Sequence, residues 1–74
     1  MGNLRDEKYL KKLGKRVKQL RIEKGISTYQ LSYDSDVPRS QISLIEKGGV
    51  NTTVSTLRAI CTGLGVTMLE LFDF

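Results

Sequence analysis

The chain predicts an all-α fold, a compact bundle of five short helices. Three observations carry this expectation. Apolar residues recur at helical spacing in the longer segments. Helix-start signals, a capping residue flanked by an apolar pair, recur at consistent offsets. Glycines supply most of the punctuation between segments. At 74 residues the chain holds one domain, expected to span residues 1–74. A domain this small buries only about 60% of the surface its unfolded chain exposes. Its stability is expected at roughly 3–5 kcal/mol, and a deep enzyme pocket is hard to build from so little material.

The first helix is expected from Glu7 to Lys24, where Leu10, Leu13, Val17 and Leu20 make one apolar stripe. Lysines 11, 12, 15 and 18 and Arg21 mostly fill its other faces, and Gly25 ends it. Residues 1–12 read as an N-terminal extension or the start of this helix, with helix the preferred reading. The second helix starts at Ser27, with Gln30 placed to complete a capping box and Ile26 and Leu31 to staple across it. It is expected to stop near Tyr33, because Asp34-Ser35-Asp36 is polar and turn-forming.

The third helix follows Val37, which repeats the staple with Ile42; the fixed φ of Pro38 suits a helix start. Ile42 and Ile45 face inward, and Gly48-Gly49 end the helix. After the loop Val50-Asn51-Thr52, Thr53 caps a fourth helix with Leu57, Ile60, Cys61 and Leu64 as its buried stripe. Gly63 and Gly65 close it. The fifth helix carries a capping box, Thr67 with Glu70, and a staple, Val66 with Leu71, and ends near Phe72.

Lys and Arg total 12 against 8 Asp and Glu, a net charge of +4, and nine of the twelve cations lie between Arg5 and Lys24. Charge alone fits two readings, a polyanion-binding face or a solvated surface helix. The single cysteine, Cys61, excludes an internal disulfide, and the absence of His leaves no zinc site. Cys61 reads as a small buried hydrophobe. No cofactor is expected. No paired carboxylates, Cys–base pair or cofactor-binding glycine loop is present, so an enzyme is not expected. No signal peptide or membrane span is legible, and a cytoplasmic protein is expected.

Residues 27–47 give two short helices joined by about four residues, the spacing of a helix-turn-helix unit. Its second helix projects N-terminal side chains outward, in a geometry that suits the DNA major groove. The stretches LGKRVKQLRIEKGIS, TYQLSYDSDVPRSQISLIEKG and TLRAICTGLGVTMLELF cover about four-fifths of the chain. They resemble the Cro and lambda-repressor type (XRE-like) of helix-turn-helix DNA-binding domain. The resemblance implies a bacterial or phage transcriptional regulator, of repressor or controller type.

Carried over by position, the resemblance places Arg39, Ser40, Gln41, Ser43 and Leu44 toward the bases. Arg39 suits a bidentate bond to guanine, and Leu44 suits contact with a thymine methyl. Thr28, Lys47, Asn51 and Thr52 fall on positions that touch phosphate, with Arg16 on the first helix as a further candidate. Arg21 and Glu46 match a partly buried ion pair. Three positions depart from the usual pattern: Ser32 stands where Ala is common, Asp36 where Gly is common and Thr52 where Pro is common.

One helix reads too few base pairs for useful specificity. A homodimer on a near-palindromic operator is therefore expected, its recognition helices about 34 Å apart. Met68, Leu69, Phe72 and Phe74 are the expected dimer surface. No small-molecule ligand is legible, so control through protein concentration is expected. A competing reading is a protein-interaction module of the same fold, its basic first helix binding an acidic partner. Arg39 and Ser40 discriminate, because only DNA binding needs them. RNA binding lacks an aromatic platform, since Tyr29 and Tyr33 lie on the second helix.

Overall fold

Side-chain oxygens set most of the helix starts. In a computed structural model describing residues 5–74, the helices are α1 (Glu7–Lys24), α2 (Thr28–Ser35), α3 (Arg39–Glu46), α4 (Val54–Leu64) and α5 (Met68–Leu71). Residues 7–12 of the expected extension belong to α1, and residues 1–4 lie outside the described residues. Asp6 caps α1 by accepting from the Tyr9 amide at 3.0 Å. Ser27, Thr53 and Thr67 accept in the same way from Gln30, Thr56 and Glu70. At α5 the box is reciprocal, since Glu70 Oε1 accepts from the Thr67 amide at 3.0 Å. Helix α3 has no side-chain cap; Pro38, at φ −54°, sets its entry instead.

Two local expectations need correction. Gln30 does not complete a capping box, because its amide donates forward to Asp34 Oδ1 at 2.9 Å. That i,i+4 bond prolongs the helix. Helix α2 accordingly runs on to Ser35, two residues past Tyr33, and Asp36 ends it in the left-handed region at φ 59°.

The core is the convergence of the five apolar stripes. Leu13, Val17 and Leu20 from α1 meet Leu31 of α2, Ile42 and Ile45 of α3, Leu57, Ile60, Cys61 and Leu64 of α4, and Leu71 of α5. Val37, at the turn, is buried with them. Full burial of each such aliphatic side chain contributes about 1.5–3 kcal/mol before chain entropy is counted. Burial pushes the Cys61 thiol pKa up, with Glu70 adding to the shift, so the thiol stays protonated and inert.

Two glycines let helices approach backbone to backbone. A Cβ at Gly14 of α1 would overlap the carbonyl oxygens of Ile45 and Glu46 at the end of α3. A Cβ at Gly63 of α4 would lie 2.9 Å from Ser35 Cβ on α2. The α1–α3 and α2–α4 pairs are the principal packing pairs of the fold.

Arg21 locks the first pair. Its Nε donates to Glu46 Oε2 at 2.7 Å, its Nη2 to Glu46 Oε1 at 3.1 Å and its Nη1 to the Ile26 carbonyl at 2.9 Å. The two side chains are only 13% and 8% exposed. The hydrogen bond to Glu46 raises the Arg21 pKa above its ordinary value, and the guanidinium is always charged. Removing one partner strands the other charge in a poorly solvated site. Arg21→Ala is expected to cost about 3–5 kcal/mol, against roughly 0.5 kcal/mol or less for exposed Lys18→Ala. Urea melts of the two variants give the comparison, and coincident midpoints would refute the assigned role.

Candidate nucleic-acid interface

With Ile42 and Ile45 turned into the core, the opposite side of α3 is left to solvent. At 100° per residue, Arg39, Ser43, Lys47, Ser40 and Leu44 fall in that order across an arc of about 140°. Arg39, Ser40, Leu44 and Lys47 are exposed, and Ser43 is half-buried. Leu44, an aliphatic side chain, is 49% exposed on this arc. Gln41 lies beyond its edge, between Leu44 and Ile45, and is half-buried. The arc combines a forked cation, two hydroxyls, an apolar tip and a terminal ammonium, a set that matches the donor, acceptor and methyl pattern of base edges and phosphates.

The turn that aims α3 is built from serines. Ser32 Oγ donates to the Val37 carbonyl at 2.6 Å. Ser35 Oγ donates to the Leu31 carbonyl at 2.6 Å and accepts from the Val37 amide at 3.3 Å. The Asp36 amide donates to the Ser32 carbonyl at 2.9 Å. Departures from the family pattern at Ser32 and Asp36 are thus local: the hydroxyl at 32 ties the turn, and Asp36 holds a left-handed conformation that Asp tolerates better than most non-glycine residues. Ser35 lies in the segment expected to turn, whereas nothing in the sequence reading assigned Ser32 a bond to the turn. Ser35 carries the clearer signal, because it stands two residues before Val37, which Pro38 biases toward extended backbone, in the pattern of a side-chain-closed turn.

Of the expected phosphate set, Thr28 is the first residue of α2 and half-buried, Lys47 is the exposed cap residue of α3, and Asn51 is exposed in the following loop. Two members are placed otherwise. The Thr52 hydroxyl is buried and, among the described residues, has no hydrogen-bond partner, so it does not face a phosphate; neighbouring Val50 packs on the core. Arg16 donates through Nη2 and Nε to the Glu70 carbonyl at 2.8 and 3.3 Å and through Nη1 to Gln19 at 3.2 Å. Those bonds commit its guanidinium to the α1–α5 contact.

The expected dimer surface also divides. Leu69 is 82% exposed, with Phe72 and Phe74 also exposed. Phe74 packs on Tyr9 of α1 at 5.4 Å between ring centroids and stacks on Phe72 at 6.2 Å. Tyr9, which the sequence reading did not single out, therefore extends the patch. Met68 turns inward instead, half-buried against the core with its sulfur 3.5 Å from Cys61 Sγ.

The helix-turn-helix family profile matches residues 17–71. The chain belongs to this family. It is 36% identical over 62 residues to the control protein C.BamHI of Bacillus amyloliquefaciens, covering 82% of this chain and 76% of that one. Its structure matches the restriction-modification controller protein C.AhdI from Aeromonas hydrophila with a TM-score of 0.83 and 33% identity, covering 85% of this chain and 96% of that one. It also matches C.Esp1396I, a restriction-modification controller protein solved as a tetramer in complex with its natural 35 base-pair operator. There the TM-score is 0.81 at 36% identity, covering 86% and 84% of the two chains. These relatives are named as regulators, not enzymes. Among the described residues no helix is long and apolar enough to cross a membrane.

The turn geometry has a measurable consequence. Ser35→Ala keeps the volume but leaves the buried Val37 amide without its acceptor. A loss of about 1–3 kcal/mol is expected in denaturant unfolding, and unchanged stability would show that the serine does not hold the turn.

Proposed function

We propose that the protein is a sequence-specific double-stranded-DNA-binding transcriptional regulator of controller type, acting as a homodimer on a near-palindromic operator. The observation that carries this reading is the exposed arc of α3, with Arg39 and Ser40 at its N-terminal end, Ser43 and Leu44 along it and Lys47 at its close. Arg39 reads a guanine through its N7 and O6. Ser40 and Ser43 reach bases or phosphates, Leu44 meets a thymine methyl, and Gln41 contributes from the edge of the arc. Thr28, Lys47 and Asn51 hold the phosphate backbone and set the register of α3 in the groove.

The dimer forms through Leu69, Phe72 and Phe74, where large apolar side chains stand in solvent. Met68 supports that surface from below. The tetrameric complex of C.Esp1396I with its operator supports an oligomeric DNA-bound form. Regulation follows from occupancy: the dimer covers operator DNA and blocks or contacts polymerase. The protein acts in the cytoplasm, without cofactor or catalytic step.

Selection of binding sites from random duplexes tests the reading. The unaltered protein should yield a palindromic motif with half-sites one helical turn apart. Arg39→Ala should relax one G·C preference per half-site at a cost of about 1–3 kcal/mol. A motif that survives the substitution intact would remove Arg39 from base reading. Sedimentation tests the dimer: Leu69→Glu should raise the dimer dissociation constant at least about tenfold, or 1.4 kcal/mol. An unchanged constant would place the interface elsewhere.

A further inference from the structure

We infer that Lys11 of α1 is a phosphate-contacting residue of the DNA interface, paired with Lys47 across the turn that ends α3. This rests on the DNA-binding reading and adds a contact from a helix outside the helix-turn-helix unit.

Gly48 closes α3 at φ 72°, and α1 passes directly over it. A Cβ at Gly48 would lie 2.7 Å from Lys11 Cγ, 2.8 Å from its Cα and 2.9 Å from its backbone nitrogen. The root of the Lys11 side chain is therefore seated on the residue that follows Lys47. Both lysines are exposed. Among the described residues, neither has a carboxylate within ion-pair distance: the ion pairs there are Arg5–Glu7 and Arg21–Glu46.

Length places this turn at a phosphate. Eight helical residues of α3 extend about 12 Å, and the major groove is about 12 Å wide. With the Arg39 end among the bases, the Gly48 end lies at the groove wall, where the sugar–phosphate backbone runs. Two ammonium groups from different helices then flank one stretch of backbone. The neighbouring Lys12 differs, because it lies about 100° round the helix and lines a shallow groove with Arg16 and Phe74 on the α5 side.

The salt dependence of binding tests this. Affinity is measured across a salt series on the duplex recovered by site selection and on a mixed-sequence duplex. Lys11→Gln keeps the Cγ that packs on Gly48 and removes the charge, so its melting temperature should match the parent's. Its log–log slope should fall by about 0.9, one phosphate, which is roughly a threefold to fourfold narrowing of its deficit between 50 and 200 mM salt. The loss should be the same on both duplexes, Lys11→Arg should restore the slope, and Lys12→Gln should leave it unchanged. An unchanged slope in Lys11→Gln, or an equal change in Lys12→Gln, would overturn the inference while leaving DNA binding intact. Absence of any binding by the unaltered protein would instead overturn the proposed function, and this inference with it.

Discussion

Helix α1 lies on α3 with no side chain between them at Gly14, and the placement of the exposed face of α3 depends on this closeness. A backbone contact of that kind fixes the separation of the two helices but not the rotation of α3 about its own axis. The Arg21–Glu46 fork supplies that second constraint. Glu46 is the last residue of α3, and a bidentate pair admits one orientation of the carboxylate relative to the guanidinium. The third Arg21 nitrogen bonds the Ile26 carbonyl, so the same side chain also fixes the chain entering α2. One arginine thus ties the end of α1, the approach to α2 and the end of α3. The exposed arc from Arg39 to Lys47 inherits its direction from that junction.

At its other end, α3 is aimed by short bonds within the turn. The left-handed Asp36 is strained relative to glycine, and the Ser32 and Ser35 hydroxyls offset that strain by closing on the Val37 carbonyl and amide. Val37 is itself buried, so the polar groups of its backbone need these partners. Packing of Ser35 under Gly63 then holds the turn against α4. Serines and a small residue on the facing helix act together there.

Most of the fold was legible in the sequence because its signals are local. The bounds of α1, the caps at Ser27, Thr53 and Thr67, and the stripe from Leu57 to Leu64 all follow from residues within one or two turns of each other. Gln30 shows the limit of such reasoning. Its spacing from Ser27 allows a capping box and its spacing from Asp34 allows an i,i+4 bond, and the structure holds the second. Arg16 and Thr52 were harder still. The acceptor of Arg16 is the carbonyl of Glu70, far along the chain, and the Thr52 hydroxyl is buried by the path of its loop. On the interface, the pattern of Ile42 and Ile45 identified which side of α3 is free, whereas the approach of Lys11 to Gly48 exists only in the packed molecule.

The same distinction changes the meaning of the basic charge. From composition, the cluster between Arg5 and Lys24 fits either a polyanion-binding face or a solvated surface helix. In the fold it is divided by function. Arg21 serves the ion pair, Arg16 bonds the α5 carbonyl and Lys24 Nζ bonds the Gly63 carbonyl at 2.8 Å. These three cations hold helices together and carry their hydrogen-bonding capacity inward. The lysines left outward, Lys8, Lys11, Lys12, Lys15 and Lys18, fall within one arc of about 120° opposite the apolar stripe of α1, and Lys11 is the one seated against the end of α3. A net charge of +4 therefore overstates the electrostatic reach of the protein. On the proposed DNA-binding reading, affinity would come from a few cations placed at the ends of α3, Arg39 and Lys47, with α1 contributing by position more than by total charge.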